Sequence, residues 1–305
     1  MKKLDSIAII GNMTSQSWDG SQPDERHVSD CLALLGYKVT EFQRDKTEPN
    51  LLKGKFDLIL VSQWNEYPKN YCKKLKKRFK CPVVFWAFDY QEDGQAWHEE
   101  MVKECDLYLS PLMDSKYPNH QWLPQAFAPM FLDKLNVFKE YDVVFTGTYL
   151  PQGEFRTEVL KAVDKKFDLH VFSVTQEEWR AQGLKNVHPP IIDHDLPELY
   201  GKARVVLSVD LFPGHKGCWS DRNAQAMACG ACVIYKYAPL SEEEFQDGVV
   251  YFNTIDECLS RIQFLLDNKD VARKVAEKGH VIAKSSLMAI HRVKNLITIL
   301  ENNIE

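Results

Sequence analysis

The stretch that most constrains the fold of this chain is residues 220–234, where small residues are followed by a glycine and an apolar segment. Ser220 and Asp221 are favoured at a helix N-terminus, and Gly230 is the residue type that ends a helix in a left-handed turn. The stretch therefore predicts a helix, a tight turn and a buried strand over residues 231–235. The first amides of such a helix are expected to be unpaired and to attract an anion.

The rest of the chain alternates apolar segments with helical patterns. Such alternation predicts parallel, doubly wound sheets that bind ligands at the carboxyl ends of their strands. Strands are predicted at residues 7–10, 37–42, 56–62, 82–88, 107–110, 141–146, 169–173 and 205–209. Helices are predicted at residues 25–35, 154–163, 254–268, 271–282 and 285–300.

Composition limits the class of protein. The chain has 305 residues, of which 45% are hydrophobic and 27% charged, so it is long enough for two domains of about 150 residues. A net charge of −5 does not suggest a nucleic-acid coat. We expect a cytoplasmic protein, because there is no signal peptide and no long apolar run. The eight cysteines fit buried thiols, and we attribute the Cys229 to Cys232 spacing to the helix-to-strand turn rather than to a metal site.

Residues 226–230 read Ala-Met-Ala-Cys-Gly and resemble the donor-binding motif of nucleotide-sugar glycosyltransferases with the GT-B fold. Ser220 to Arg222, just before them, resemble the CgeB-type branch of these proteins. Two positions depart from the pattern. The family's ribose-binding Glu is Gln225 here, and a position that is acidic in many relatives is Gly217. Gln can still donate to and accept from a ribose diol, but it brings no charge.

The resemblance implies an α/β fold with two Rossmann-like domains, each built on a doubly wound parallel sheet, and an interdomain cleft. It places an acceptor-side domain at residues 1–130 and a nucleotide-sugar-binding domain at residues 131–284. A last helix, residues 285–305, is expected to pack back on the first domain. Residues 122–129 resemble the Leu-Pro-x-Ala segment that leaves the first domain in this family.

The resemblance also implies a donor site in the second domain. Gly147 is expected to contact the diphosphate, Arg156 to supply positive charge, and residues 186–192 to hold the nucleotide base. His215 and Lys216 lie in the loop just before the helix at residue 220. The predicted donor-binding residues are Gly147, Thr148, Arg156, His188, His215, Lys216, Trp219, Ser220, Asp221, Arg222 and Gln225.

Candidates for the acceptor side lie in the first domain. Asp89 directly follows an apolar strand that we expect near the sheet centre, at a place where the family has a polar residue near the donor sugar. Asp89 is equally suited to cap the next helix, and both interpretations stay open. If it is catalytic, we expect it to lie across the cleft from Gln225. Asp19 and His27, in and just after the first loop, are the next candidates.

These observations predict transfer of a sugar from a nucleotide-diphosphate sugar, a UDP-sugar first, to a hydroxyl acceptor. No cofactor or metal is expected, because no Asp-x-Asp pair follows a strand. The acceptor is open between a glycan, a protein, a small molecule and a base in DNA. One alternative is therefore glycosylation of a hydroxylated DNA base, and another is a non-catalytic sugar-nucleotide-binding protein. The basic run at residues 73–80 is expected at the amino end of the sheet, as a solvated helix face.

Overall fold

A computed structural model of the chain describes residues 4–13, 16–17, 20–46, 48–49, 52–89, 95–125, 127–211 and 214–304. The chain forms two compact units. Unit 1 is Met1–Gln125 with Ala289–Glu305, and unit 2 is Ala126–Met288. The sequence places these limits at residues 130 and 284, and its division of the units into acceptor and donor domains stays a prediction.

Each unit contains a parallel sheet of six strands. In unit 1 the order is β2-β1-β3-β4-β5-β6, and in unit 2 it is β12-β11-β10-β7-β8-β9. The strands of unit 1 are β1 Ser6–Gly11, β2 Lys38–Gln43, β3 Leu58–Ser62, β4 Val83–Trp86, β5 Leu107–Ser110 and β6 His120–Trp122. Those of unit 2 are β7 Tyr141–Thr146, β8 Leu169–Phe172, β9 Asn186–His188, β10 Ala203–Ser208, β11 Val233–Lys236 and β12 Val249–Phe252.

Helices connect the strands, as parallel neighbours require. They are α1 Asp24–Leu34, α2 Tyr71–Phe79, α3 Ala96–Glu104, α4 Glu154–Lys166, α5 Gln176–Ala181, α6 Leu196–Lys202, α7 Arg222–Ala228, α8 Ser241–Phe245, α9 Ile255–Asp267, α10 Lys269–Ile282 and α11 Ala289–Asn303. Short 3-10 turns lie at Arg44–Lys46, Asp193–Asp195 and Gln246–Gly248, and a π-helical turn lies at Ala283–Leu287. α11 packs against α1 within unit 1.

The central strands are buried on both faces, which is typical of parallel sheets. Every residue of β3 and β4 is buried. β4 lies between β3 and β5, so the predicted central position of this strand is confirmed. In unit 2 the apolar faces of α4 and α9 cover one side of the sheet, with Val159 and Ile262 fully buried among its strand residues. The two sheets therefore fix the carboxyl ends of their strands as rigid edges.

The predicted strands are confirmed in place, and their ends differ from the prediction by at most two residues. Three strands of three or four residues, β6, β9 and β12, were not among those predicted. β11 begins at Val233 rather than residue 231, because the Gly230 and Ala231 amides bond back to the carbonyls of Met227 and Ala226 and close α7 in a Schellman turn. Gly230 has φ 69°, as predicted for the residue after this helix.

The last helix begins at Ala289 rather than at residue 285. Met288 pairs with Ala128 in an isolated parallel bridge, and the Ala128 amide donates to the Leu287 carbonyl at 2.8 Å. This pairing holds Met288 in an extended conformation, with φ −73° and ψ 153°, so the helix cannot run through it.

The basic run lies where the sequence predicted it. Lys76 Nζ is 3.1 Å from the Asp106 carboxylate just before β5, and Lys73 pairs with Glu104 at 3.2 Å. α2 therefore carries its lysines at the amino edge of the sheet. Among the described helices, none combines the length and apolarity needed to span a bilayer.

Candidate functional site

A buried arginine lies at the carboxyl edge of the unit 2 sheet, in the first turn of α4. Arg156 is only 7% exposed. Its Nε donates to the Val209 carbonyl at 2.9 Å and its Nη1 to the Thr148 carbonyl at 3.3 Å. These two carbonyls follow β10 and β7, so the side chain joins the ends of neighbouring strands.

A second buried arginine begins α7 at the same edge. Arg222 is 8% exposed, its Nε donates to the Thr146 carbonyl, and its Nη1 lies 3.4 Å from the Ser208 hydroxyl. Thr146 and Ser208 are the last residues of β7 and β10. The two arginines, 66 positions apart by number, therefore meet over the same pair of strands.

Phe145 lies beneath both guanidinium groups. Its ring centroid is 5.9 Å from Arg156 Cζ and 4.8 Å from Arg222 Cζ. Burial and then the charge of Arg222 lower the pKa of Arg156 to about 9. Neither guanidinium forms an ion pair with a carboxylate in the described part of the chain. The buried carboxylate of Asp210 lies close enough to offset part of this charge, but two buried cations share that one carboxylate, so an added anion would be stabilised beside them.

Gly147 forms the turn that faces Arg222. It has φ 155°, and a Cβ at this position would lie 2.7 Å from Arg222 Nη2 and 3.0 Å from the Phe145 ring. Its amide donates to the Phe172 carbonyl at 3.1 Å, and its carbonyl accepts from the Trp179 indole at 3.0 Å. The absence of a side chain thus lets the Arg222 guanidinium group pack directly against the backbone at the end of β7.

Asp210 anchors the loop that leads into α7. It is buried, and it accepts hydrogen bonds from the Ser220 amide at 3.0 Å and from the Tyr235 hydroxyl. Burial raises the pKa of Asp210, while these hydrogen bonds and the nearby Arg222 oppose the rise. The carboxylate therefore positions the start of the helix rather than facing solvent.

The prediction that the amides at the start of α7 are unpaired is wrong for three of them. The Ser220 amide is taken by Asp210, and the Arg222 amide donates to the Ser220 hydroxyl at 3.3 Å. The Asn223 amide donates to the Ser220 carbonyl at 3.4 Å. Asp221 occupies the N-cap position but its side chain makes no capping bond. Three amides at the start of the helix are therefore already bonded, and the buried guanidinium groups add full positive charges to this edge.

Gln225 lies one turn into α7. Its amide nitrogen donates to the Asp221 carboxylate at 2.6 Å, and both residues are partly exposed. A carboxylate thus stands beside Gln225, within the same helical turn. The pair offers both hydrogen-bond acceptors and an amide to a ligand diol.

The end of β9 carries a stack of rings. His188 lies 5.0 Å from the His170 ring and 4.7 Å from the Phe172 ring, with interplanar angles of 8° and 24°. Nδ1 of His170 and Nε2 of His188 are 2.8 Å apart. Burial, followed by the charges of His170 and Arg180, lowers the pKa of His188. A neutral, half-buried imidazole at a strand end suits contact with a planar ligand group.

Three other predicted donor-side residues lie just before α7. Trp219 is 4% exposed and packs against Phe245 at 5.6 Å, so it forms part of the wall rather than an open stacking surface. His215 is half-buried and Lys216 is exposed. Gly217 has φ 76°, which explains a glycine at a position that is acidic in many relatives.

Unit 1 presents a different edge. The Glu25 carboxylate is buried and accepts from the Asn12 amide at 3.1 Å and from the Ser62 hydroxyl at 2.7 Å, while Arg44 lies 3.9 Å away. Arg44 Cζ is also 5.4 Å from the ring of half-buried Trp64. The ends of β1 and β3 and the start of α1 are therefore joined by one carboxylate.

Asp89, the main acceptor-side candidate, is exposed after β4, and its amide donates to the Gln63 side chain at 3.3 Å. The alternative that it caps the next helix is wrong, because Gln95 occupies the N-cap position of α3. His27 is 7% exposed within α1. Asp19 lies outside the described residues. A catalytic role for any of the three stays a prediction.

Residues 155–298 match the model of a family described as glycosyl transferase-like. No curated protein matches the chain.

Several solved structures share the fold over nearly all of both chains. A sucrose-phosphate synthase from Thermosynechococcus elongatus has a TM-score of 0.71 at 14% identity, covering 98% of each chain. An alpha-glucosyltransferase in complex with UDP and DNA has a TM-score of 0.73 at 12% identity, covering 97% of this chain and 99% of its own. Anabaena HepE in complex with UDP and glucose has a TM-score of 0.65 at 11% identity, covering 98% and 100%.

Residues 155–298 therefore resemble a glycosyltransferase family. The two parallel sheets and the structural neighbours confirm the predicted GT-B fold. The match and the fold together confirm the predicted resemblance and the class of enzyme, a glycosyltransferase.

Some residues of this glycosyltransferase site had no sequence signal strong enough to single them out. Asp210 bonds to Tyr235, and Phe145 lies beside the two arginines, only because the fold brings the ends of β7, β10 and β11 together. One sequence signal could have located Asp210: it lies two residues after the apolar strand β10, where polar residues face a ligand edge. In unit 1, Glu25 reads as an ordinary first-turn acid, and its burial becomes visible only in three dimensions.

The described residues contain no cluster of three or more His, Cys, Asp or Glu arranged to hold a metal ion. Cys229 and Cys232 are buried, and burial raises the pKa of each thiol to about 12. Both cysteines flank the turn that closes α7, as the sequence indicated.

Proposed function

We propose that this glycosyltransferase moves a sugar from a nucleoside-diphosphate sugar, a UDP-sugar first, to a hydroxyl acceptor, and that it needs no metal ion. The observation that carries the proposal is the pair of buried guanidinium groups of Arg156 and Arg222 above Phe145. Arginine is the residue of choice for phosphate oxygens, because its donors form a rigid fork. Structural neighbours in complex with UDP or UDP-glucose support the choice of nucleotide.

The arginines would act on the leaving group. In the transfer, the acceptor oxygen bonds to the anomeric carbon while the bond from that carbon to the diphosphate oxygen breaks. The bonding pair goes to the diphosphate, whose negative charge grows. Arg156 and Arg222 are held by carbonyls at strand ends, so they are oriented before the reaction and need little rearrangement. Such preorganised charge is often the largest catalytic contribution.

The rest of the donor would be held along the same edge. We assign the diphosphate to the Arg222 guanidinium group beside the Gly147 turn, and the base to the wall near His188, where backbone contacts of residues 186–192 are expected. We assign the ribose diol to Gln225 and Asp221. The hydrogen bond between these two side chains keeps the amide in place, and it compensates in part for the missing charge of the family's Glu.

Asp89 is our candidate for the acceptor side. It is exposed at the carboxyl end of a central strand, so a hydroxyl group in solvent can approach it. If the anomeric configuration inverts, Asp89 takes the acceptor proton; if it is retained, Asp89 orients hydroxyls of the donor sugar. A DNA acceptor is less favoured, because the lysines of α2 lie at the opposite edge and two of them are paired with carboxylates.

Donor binding and turnover test the proposal together. We expect calorimetry to show binding of UDP and UDP-glucose, and we expect transfer or donor hydrolysis to continue in excess chelator. Arg222→Lys should weaken donor binding, because an ammonium cannot reproduce the fork. Arg261→Gln, an exposed arginine on α9, is the matched control and should bind donor normally.

Three outcomes would decide against parts of the proposal. Loss of turnover in chelator with rescue by manganese would overturn metal independence. Donor binding without transfer or hydrolysis would favour a non-catalytic sugar-nucleotide-binding protein. A screen of glycan and hydroxymethylated DNA acceptors in which only DNA is modified would establish the DNA alternative.

A further inference from the structure

A line of three hydrogen-bonding side chains runs along the unit 2 sheet, from its amino edge toward its carboxyl edge. Asp168 lies just before β8, His170 is the second residue of β8, and His188 is the last residue of β9. In the register of these two strands His170 pairs with Asn186, and Phe172 pairs with His188. The carboxylate is therefore at one end of the line, and His188 is at the end to which we assign the donor's base.

Asp168 begins the line in a fixed orientation. Its Oδ1 accepts from the Asn186 side-chain amide at 3.1 Å, and its Oδ2 lies 3.2 Å from Nε2 of His170. A carboxylate has lone pairs and no proton to donate, so the proton between these two groups belongs to Nε2 of His170. In a neutral ring, Asp168 therefore selects the tautomer of His170 that leaves Nδ1 as an acceptor.

The next contact passes this choice on to His188. Nδ1 of His170 and Nε2 of His188 are 2.8 Å apart, and the ring planes differ by 8°. The ring centroids are 5.0 Å apart, which exceeds the separation of the nitrogens by about the diameter of one imidazole ring, so both nitrogens lie between the rings. Because Nδ1 of His170 accepts, Nε2 of His188 must donate, and Nδ1 of His188 keeps its lone pair.

This lone pair points to the ligand side of the sheet. The two nitrogens of an imidazole point in nearly opposite directions, and Nε2 of His188 is directed toward His170, two residues nearer the amino edge in the strand register. Nδ1 of His188 is therefore directed toward the carboxyl edge. It has no hydrogen-bond partner within the described ranges of the chain, and the half-buried ring does not enclose it. The lowered pKa of His188 keeps the ring neutral and the lone pair available.

The position of this acceptor fits a nucleoside diphosphate whose phosphates lie at Arg222. β8 separates β9 from β7, the strand whose last carbonyl holds Arg222. Two strand spacings amount to about 10 Å, a distance that the ribose bridges between a diphosphate and its base. A base at the end of β9 would thus face an acceptor and would need a hydrogen-bond donor on its edge.

We propose that Nδ1 of His188 recognises the ring N–H of the donor's base, a group that uracil, thymine and guanine carry and that cytosine and adenine lack. Asp168 is a positioning residue that sets this preference through His170. The inference rests on the proposed function, because it takes the base of the donor to lie at His188. Cytosine has a lone pair where uracil has its ring N–H, so two lone pairs would face each other and one hydrogen bond would be lost.

Asp168→Asn tests the line from its far end. The Asn186 amide donates to an oxygen at position 168, so the new side-chain amide would turn its NH₂ group toward His170 and force the proton of that ring onto Nδ1. Nδ1 of His188 would then carry a proton and favour CDP. We expect calorimetry at about pH 8, where imidazoles are neutral, to show that the parent binds UDP about tenfold more tightly than CDP or N3-methyl-UDP, the effect of one hydrogen bond. Asp168→Asn should reduce the preference for UDP over CDP by about tenfold.

Two further variants separate this role from a structural one. Asp142→Asn is the matched control, because Asp142 is another carboxylate near the amino edge of the same sheet and pairs with Arg204 at 3.0 Å. It removes the same charge without touching the line, so its preference for UDP should equal that of the parent. His188→Phe removes the acceptor and should bind UDP and CDP with similar affinity. A merely structural role of Asp168 would weaken both nucleotides together and leave their ratio unchanged.

Nitrogen chemical shifts of the histidine side chains at the same pH report the protonated nitrogen without any ligand. We expect Nε2–H in both rings of the parent and Nδ1–H in both rings of Asp168→Asn. A proton on Nδ1 of His188 in the parent, or equal affinities of the parent for UDP, CDP and N3-methyl-UDP, would overturn this inference and leave donor binding intact. The expected tautomers in a protein that binds none of the three nucleotides would overturn the proposed donor site and the recognition of its base together.

Discussion

Each sheet begins with a strand that ends beside a glycine, and at each glycine a buried charged side chain closes the space. In unit 1 a Cβ on Gly11 would lie 2.6 Å from Glu25 Cγ, and in unit 2 a Cβ on Gly147 would lie 2.7 Å from Arg222 Nη2. Glu25 accepts from an amide and a hydroxyl, whereas Arg222 donates to a carbonyl at a strand end. The same parallel-sheet edge is thus anionic in one unit and cationic in the other.

The difference teaches that the fold supplies the edge and the first helical turn supplies its chemistry. A carboxylate edge suits hydroxyl groups, which can donate to it, and a guanidinium edge suits phosphate oxygens. This is the division of labour that a sugar transfer would need, with acceptor chemistry on one unit and leaving-group chemistry on the other.

The largest expected effect tests the anionic half of the comparison. Asp89→Asn should lower turnover by about a hundredfold or more, the usual contribution of a positioned acid or base, with donor affinity nearly unchanged. Single-turnover kinetics with UDP-glucose and calorimetry measure the two quantities. Normal turnover in a variant whose unit 1 melts early would assign Asp89 a structural role and move attention to Asp19 and His27.

The next effect tests the cationic half. Arg222→Ala should weaken binding of UDP-glucose by roughly 1.5–3 kcal/mol, the contribution of a charged hydrogen bond. The melting temperature of the unliganded protein should change little, because removing Arg222 also removes its repulsion with Arg156. A variant that unfolds early but keeps its donor affinity would show that Arg222 is structural only.

Paired glycine substitutions separate the two edges. Gly147→Ala should displace Arg222 and lower both stability and donor affinity, whereas Gly11→Ala should lower stability alone. Overpacking of this kind costs about 1–3 kcal/mol. Gly183→Ala and Gly36→Ala are controls for backbone strain, because both glycines have φ 92° and a Cβ added at either would meet no atom within 4 Å. Loss of donor affinity in Gly11→Ala would contradict the assignment of donor binding to the unit 2 edge alone.

The smallest effect concerns pH. Burial lowers the pKa of His188 below its ordinary value of 6.5, so the folded state binds fewer protons than the unfolded chain below that pH. The stability that neutral His188 contributes is therefore lost as the pH falls from 6.5 through the lowered pKa. His188→Phe keeps the ring stack and should make the melting temperature less dependent on pH below 6.5. If the melting temperature of the variant fell with pH as steeply as that of the parent, His188 would not be the group that titrates.

Much of the fold was predictable because apolar strands alternate with helices and end at glycines. β6 and β9 were missed because three residues, His120–Trp122 in one and Asn186–His188 in the other, carry no periodic signal. The motif at residues 226–230 located the donor edge, but the sequence assigned its charge to free amides. Those amides are bonded to Asp210 and Ser220, and such long-range bonds cannot be read from local pattern.

The two arginines above Phe145 also affect how the unliganded protein behaves. Without a bound anion, the two like charges share one buried carboxylate, that of Asp210, and the repulsion between them lowers the conformational stability of unit 2. Sulfate, phosphate or nucleotide in the buffer should then act as a folding ligand, raising the melting temperature and slowing proteolysis of this unit in proportion to occupancy. If the proposed donor binds at these arginines, the unliganded protein should be degraded faster than the donor-bound protein.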